Sequence, residues 1–245
     1  MSGSDALFFG AHPDDVELSS GGLAALLAMH GHRVTIVDLT RGEAGSRGTP
    51  EGRAREAEEA ARRLGVEGRE GLALPDLGLD RSSREQLAAV VGCLRRHRPR
   101  LVVAPYPDDP HPDHVEGSHL VRRAAYLAGL ARFPAPGERF RPGRLLFALY
   151  RTAAAPHLIV DVGAAWERRA AAVSAHASQL GGGAGPETYL TTPEFLAEIE
   201  ARARHWGSLI GARHGEGYRA IGPIAVADAR LLLAAEPARA GGRAS

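Results

Sequence analysis

The stretch "ALFFGAHPDDVELSSGGLAALLAMHG", residues 6 to 31, joins an apolar run to a helical pattern through a cluster of one histidine, one proline and three acids. The run "ALFFGA" (6 to 11) has the length and composition of a buried strand, and "GGLAALLAMHG" (21 to 31) carries apolar residues at helical spacing. The same alternation recurs along the chain. Strands are expected at "RVTIVDLT" (33 to 40), "GLALPD" (71 to 76), "RLVVAPYP" (100 to 107) and "RLLFALY" (144 to 150), with helices over about 50 to 64 and over "REQLAAVVGCLRRH" (84 to 97). Parallel strands need a crossover, usually a helix, so this order predicts a single-domain α/β fold: a Rossmann-like, mostly parallel sheet with helices on both faces. Beyond Tyr150 come the apolar run "HLIVDVG", a helix around "AAWERRAAAVSAHAS", a mobile glycine-rich loop at 181 to 185, a helix "EFLAEIEARARHWGSLIG" and a final run "IGPIAVAD". The domain is expected over residues 1 to 235, and 236 to 245 as a disordered tail with nothing apolar to bury.

Bulk properties narrow the partners. The chain has 245 residues, 44% of them hydrophobic, enough for a substantial core. Thirty basic residues, all arginine, face 29 acidic ones, a net charge of +1 that argues against an electrostatic nucleic-acid binder. The one cysteine, Cys93, falls in a helical pattern as a small core residue, which excludes a disulfide framework and a cysteine metal cluster. No window approaches the roughly 20 apolar residues of a membrane span, and the N-terminus lacks a leader pattern. A cytoplasmic protein acting on a small molecule is the expectation, with no membrane partner.

Ligands of open parallel sheets bind beyond the carboxyl ends of the strands. Three polar clusters stand there: "HPDD" after the first strand, "TRGEAGSRG" after the second and "DDPHPDH" after "LVVAPY". The first and third supply His12, Asp14 and Asp15, then His111, Asp113 and His114. Two histidines and one carboxylate suit a catalytic zinc with an open position, where bound water has a pKa of about 7. The surplus acids and histidines suit a hydrolase, which needs a proton acceptor for water and a donor for the leaving group. A lone "HPDD" could equally be a capped turn; two such clusters after two strands favour the metal site. Spacing leaves open whether Asp14 or Asp15 is the ligand. His30, His32, His97, His157 and His205 stand singly at element ends, as solvated or capping residues.

"AHPDDVELSSGG" followed by "HPDH" strongly resembles the zinc-dependent N-acetylglucosaminyl deacetylases, the LmbE-like or PIG-L-like family. "VDLTRGEAGSRGTPEGRAREAEEAARRLGV", "RPRLVVAPYP", "SAHASQL" and "GSLIGARHGEGY" look like the branch that deacetylates N-acetylglucosaminyl malate in bacillithiol biosynthesis. The resemblance implies zinc on His12, Asp15 and His114, Asp14 as general base, a protonated His111 stabilising the oxyanion, and Asp113 orienting it. It also implies a homo-oligomer, hexamers included, and metal-assisted hydrolysis releasing acetate from N-acetyl-α-D-glucosaminyl L-malate. Iron(II) or another divalent ion would suit the same ligands.

A malate aglycone carries two carboxylates, for which bidentate arginine is the natural receptor. Arg53, Arg41 and Arg47 follow the second strand on the expected rim, and Glu43 could accept sugar hydroxyls. Pro110 stands where the malate branch often has arginine, so another N-acetylglucosamine conjugate or oligosaccharide is the alternative substrate. A noncatalytic sugar- or nucleotide-binding domain is the alternative of a different class, but no "GxGxxG" follows the first strand. Pro13 is expected to stiffen the turn, and "SSGG" to let the next helix start close to the site.

Overall fold

The computed structural model describes residues 3 to 181 and 185 to 226; the expected tail at 236 to 245 and most of the loop at 181 to 185 lie outside the described residues. Seven strands form one sheet: β1 (Ala6–Gly10), β2 (Val34–Asp38), β3 (Gly68–Gly71), β4 (Leu101–Pro105), β5 (Arg144–Ala148), β6 (Leu158–Asp161) and β7 (Gly215–Ala220). Their order is β3-β2-β1-β4-β5-β7-β6, with β1 to β5 parallel and β7 antiparallel to both its neighbours. The mostly parallel α/β fold expected from the alternation is therefore present. Helices α1 (Asp15–Met29), α2 (Pro50–Leu64), α3 (Arg84–His97), α4 (Pro112–Leu127), α5 (Trp166–Val173) and α6 (Pro193–Ser208) complete it. None is long and apolar enough to cross a membrane.

Strand pleating divides the core in two. Leu7 and Phe9 of β1 point to the face covered by α3 and α4, where they join Val91, Leu94 and Leu120. Ala6 and Phe8 point to the opposite face, against Ala24 of α1, Leu64 of α2 and Ala172 of α5. The sheet order reverses between β1 and β4, because the chain winds outward through β2 and β3 and then returns. That switch point places the ends of β1 and β4 side by side.

Four local expectations change. β3 lies at Gly68–Gly71 and not at 71 to 76, since Arg69 and Glu70 find charged partners on opposite faces of the sheet. Among the described residues the last strand is Gly215–Ala220, ahead of the expected run at 221 to 228, whose final two residues lie outside them, and its polar Glu216 is buried against α1. Helix α4, started by Pro112 with His111 as its cap, has no counterpart among the expected helices. "SSGG" lies within α1 and not ahead of it. There Glu216 accepts hydrogen bonds from the Gly22 and Leu23 N–H groups (2.8 and 2.9 Å), while Arg169 donates to the Glu17 and Leu18 carbonyls.

Candidate active site

The parallel strands β1 to β5 all end on one rim, and a cavity of about 470 Å³ opens there. His12, Asp14 and Asp15 follow β1, Asp76 follows β3, Asp109, His111 and His114 follow β4, and Tyr150 and Arg151 follow β5; all line it. The volume lies in the range of small-molecule sites, typically ~300–1,000 Å³.

Two imidazoles converge on one carboxylate. His12 Nδ1 lies 3.5 Å from Asp15 Oδ2, and His114 Nε2 lies 3.1 Å from Asp15 Oδ1. The remaining nitrogen of each ring faces another acid: His12 Nε2 is 3.1 Å from Asp76 Oδ1 and 3.4 Å from Asp113 Oδ2, and His114 Nδ1 is 2.9 Å from Asp109 Oδ1. Those outer nitrogens must carry protons, since a lone pair against a carboxylate would be repelled. Each histidine is thus oriented from behind by a carboxylate, the usual support of a metal-ligating imidazole. His12 Nδ1, His114 Nε2 and the Asp15 carboxylate remain as the inward donors, a set that suits a divalent metal with an open position.

Electrostatics point the same way. Burial opposes charge on His12, yet hydrogen bonds to Asp113 and Asp15 and the charges of Asp15 and Asp14 carry its pKa up to about 11. Burial is likewise outweighed at His114, which Asp15 and Asp109 carry up to about 10. Asp15 is held well below the usual carboxylate range against its burial, chiefly by His114 and His12. So many acids around two imidazoles require positive charge at this spot, as protons or as a dication.

Asp14 occupies the turn between β1 and α1 with φ of 139°, which non-glycine residues rarely adopt. Arg53, in the second turn of α2, braces it: Nη1 donates to the Gly42 carbonyl (3.1 Å), Nη2 to the Pro13 carbonyl (3.0 Å), and Nη2 stands 3.5 Å from Asp14 Oδ1. Burial pushes the Asp14 pKa up, the Arg53 guanidinium opposes that, and neighbouring Asp15 raises it again.

His111 caps α4, and Asp113 lies in its first turn. His111 Nδ1 accepts the backbone N–H of Asp113 at 3.2 Å, so Nε2 is the nitrogen that carries a proton. Burial and the charges of His12 and His114 lower its pKa, against the opposing charges of Asp15 and Asp113. The Asp113 carboxylate lies 3.4 Å from His12 Nε2 and accepts the Leu77 N–H at 2.7 Å.

The expected substrate residues separate. Arg53 and Arg47 line the cavity, but both are buried and bound to the protein, Arg47 through the Ser178 and Pro186 carbonyls at 2.8 Å each. Arg41 and Glu43 lie outside the cavity lining, and Glu43 accepts the N–H groups of Arg41 and Asp76, which steadies the Asp76 loop. Arg151, stacked on Tyr189 at 4.5 Å, is a further arginine on the cavity wall. Sequence reasoning missed Asp76 and Asp109 as supports. Asp76 closes "GLALPD", where the strand-end rule applies, and Asp109 precedes His114 by five residues within the same polar cluster.

Comparison with known proteins agrees with this geometry. The family profile described as PIG-L, GlcNAc-PI de-N-acetylase, matches residues 7 to 125. The diacetylchitobiose deacetylase of Thermococcus kodakarensis is 30% identical, over 86% of this chain and 80% of that protein. The 1D-myo-inositol 2-acetamido-2-deoxy-α-D-glucopyranoside deacetylase of Rhodococcus opacus is 27% identical, over 63% of this chain and 64% of that one. Among solved structures, the conserved protein TT1542 of Thermus thermophilus superposes with a TM-score of 0.84 at 39% identity, over 91% of this chain and 97% of that one.

Proposed function

Because the chain belongs to the PIG-L family of de-N-acetylases, we propose that this cavity hydrolyses the acetamide of N-acetyl-α-D-glucosaminyl L-malate, with zinc as the metal. The observation that carries the hydrolase reading is the convergence of His12 and His114 on Asp15, with Asp14 in a strained turn on the same cavity wall.

His12, Asp15 and His114 would hold the zinc, or iron(II) in its place, and such an ion supplies Lewis acidity toward a carbonyl oxygen and lowers the pKa of water. Asp14 takes the proton of the attacking water; its raised pKa makes it a stronger base than a solvated aspartate and lets it hold that proton. His111 donates its Nε2–H to the oxygen on which negative charge develops. As the C–N bond breaks, the proton on Asp14 passes to the leaving nitrogen, giving acetate and a free amine.

For the malate carboxylates, Arg151 replaces Arg53, which is committed to the Asp14 turn. A neutral disaccharide is the second reading, favoured by the relative that deacetylates diacetylchitobiose and by the internal bonds of Arg47 and Arg53. The proposal extends, on the family resemblance, to a cytoplasmic homo-oligomer.

The test is acetate release by the zinc-loaded chain from N-acetylglucosaminyl L-malate and from diacetylchitobiose. Release with the higher kcat/KM for the malate conjugate is expected. A preference for diacetylchitobiose moves the aglycone to the second reading, and no release from either overturns the enzyme reading. Asp14→Asn should retain zinc and lose turnover by about 10²–10⁴-fold.

A further inference from the structure

A second group of side chains of metal-ligating type lies across the sheet from that rim, where the chain enters β1 and β2. Arg69 and Glu70 of β3 point to opposite faces, and Glu70 reaches α3. Glu70 Oε1 accepts the thiol of Cys93 at 3.0 Å, and Oε2 stands 3.3 Å from His97 Nε2. One donor atom from each of the three lies within 4.8 Å of the others. Cys93 and His97 are four residues apart on α3, which puts both side chains on one helical face.

The imidazole is anchored from behind. Ser4 Oγ lies 3.0 Å from His97 Nδ1 and 2.8 Å from Thr35 Oγ1, so hydroxyls hold the outer nitrogen and Nε2 faces the thiol and carboxylate. Nε2 is buried, and among the described residues its polar neighbour is the Glu70 carboxylate. This contradicts the expectation of a solvated or capping His97, and it repeats the arrangement of His114, whose outer nitrogen is likewise held. Arg96 also contacts Glu70 Oε1, at 2.7 Å, but its side chain is half exposed and can swing into solvent.

We propose that Cys93, His97 and Glu70 form a second metal site, for a thiophilic divalent cation of the zinc type. On binding, the Cys93 S–H bond breaks and its proton leaves to solvent as the sulfur–metal bond forms. His97 gives the Nε2 lone pair, Glu70 gives one carboxylate oxygen, and water fills the fourth position; no group is oxidised or reduced. Thiolate and imidazole select zinc-like ions over magnesium or calcium. The bound cation ties the edge strand β3 to α3.

Cobalt(II) provides a test that does not depend on deacetylase activity. Cys93 is the single cysteine of the chain, and the His12, Asp15 and His114 set contains no sulfur. Thiolate-to-cobalt charge-transfer absorption in the near ultraviolet can therefore arise only at the second site. Titration of the metal-stripped full chain with cobalt(II) should bring that absorption to saturation within about two equivalents per chain, the other being taken by the His12, Asp15 and His114 set, and at about one equivalent in His114→Ala. His114→Ala should keep it, while Cys93→Ser and His97→Gln should lose it, with zinc displacing it in the wild-type protein. Cobalt uptake by the wild-type chain with no thiolate absorption overturns the second site, and so does an absorption undiminished in His97→Gln.

Discussion

The guanidinium of Arg53 stands 3.5 Å from the carboxylate of Asp14, and both side chains are more than nine-tenths buried. A buried cation beside a buried acid sets that acid's proton affinity, while the same arginine's bonds to Pro13 and Gly42 fix the turn that carries it.

Arg53→Met should therefore separate electrostatics from metal binding. As the proposed general base, Asp14 must be ionised to accept a proton, so activity is expected to fall as pH drops through its pKa. Burial already raises that pKa and Arg53 lowers it, so loss of the guanidinium raises it further and moves the acid limb of kcat to higher pH. A fall in kcat of about 10–100-fold at neutral pH is expected, with metal content unchanged. An acid limb that stays in place would show that Arg53 does not tune Asp14.

Asp109→Asn tests the support behind His114. The 2.9 Å contact to Nδ1 holds the ring so that Nε2 faces Asp15. An amide can still accept a bond there but carries no charge, and loss of such a supporting partner typically costs about 10–100-fold in metal affinity. Asp76→Asn should act likewise on His12, with a smaller loss, because Asp113 also faces that nitrogen. Competition with a chelator of known affinity measures both. Unchanged affinity in Asp109→Asn would remove Asp109 from the site.

Much of this site is legible in the sequence because its candidate metal ligands follow strands, and strands are marked by their own apolar residues. "HPDD" and "HPDH" meet only because the sheet order reverses between β1 and β4, and the strand–helix alternation is sufficient to expect a common rim. The hidden features depend on partners remote in the chain. "GREG" has no apolar pattern, and it lies in the sheet because Arg69 meets Glu17 and Asp38 on one face while Glu70 meets Cys93 and Arg96 on the other. "GEGYRA" is hidden for the same reason, its Glu216 being satisfied by the backbone of α1. Whether Arg53 greets a ligand or braces a turn is decided by the Pro13 and Gly42 carbonyls, which local composition does not reveal.

Gly22→Ala probes the close approach of α1 to β7. A β-carbon at Gly22 would lie 2.7 Å from Glu216 Oε1 and 2.8 Å from Val162 Cβ, in a buried layer with little room to adjust. Overpacking of this kind costs about 1–3 kcal/mol, partly offset by the better helix propensity of alanine. Gly21→Ala is the control, since its nearest neighbour is the Arg169 Cγ at 3.3 Å. Thermal denaturation should show a clear loss of Tm for Gly22→Ala and little change for Gly21→Ala. Equal Tm values in both variants would mean that the Glu216 contact does not require glycine.

The fully buried Glu17 gives the last prediction, in acid. Burial alone would raise its pKa, but the charges of Arg69 and His176 prevail and hold it at about 2, against an ordinary 4.5. A carboxyl whose pKa is lowered by folding adds stability that is fully present above the unfolded value and is lost as pH falls through the folded one. The window is therefore pH 4.5 down to about 2, and the contribution is at most about 3 kcal/mol. Glu17→Gln removes that dependence and leaves Arg69 paired with Asp38 alone. Urea denaturation at a series of pH values should show a less stable variant at pH 7 and a shallower loss of stability below pH 4.5 than in the wild-type chain. Parallel pH profiles for the two proteins would mean that folding does not shift the Glu17 pKa, and that Arg69 is balanced through Asp38 instead.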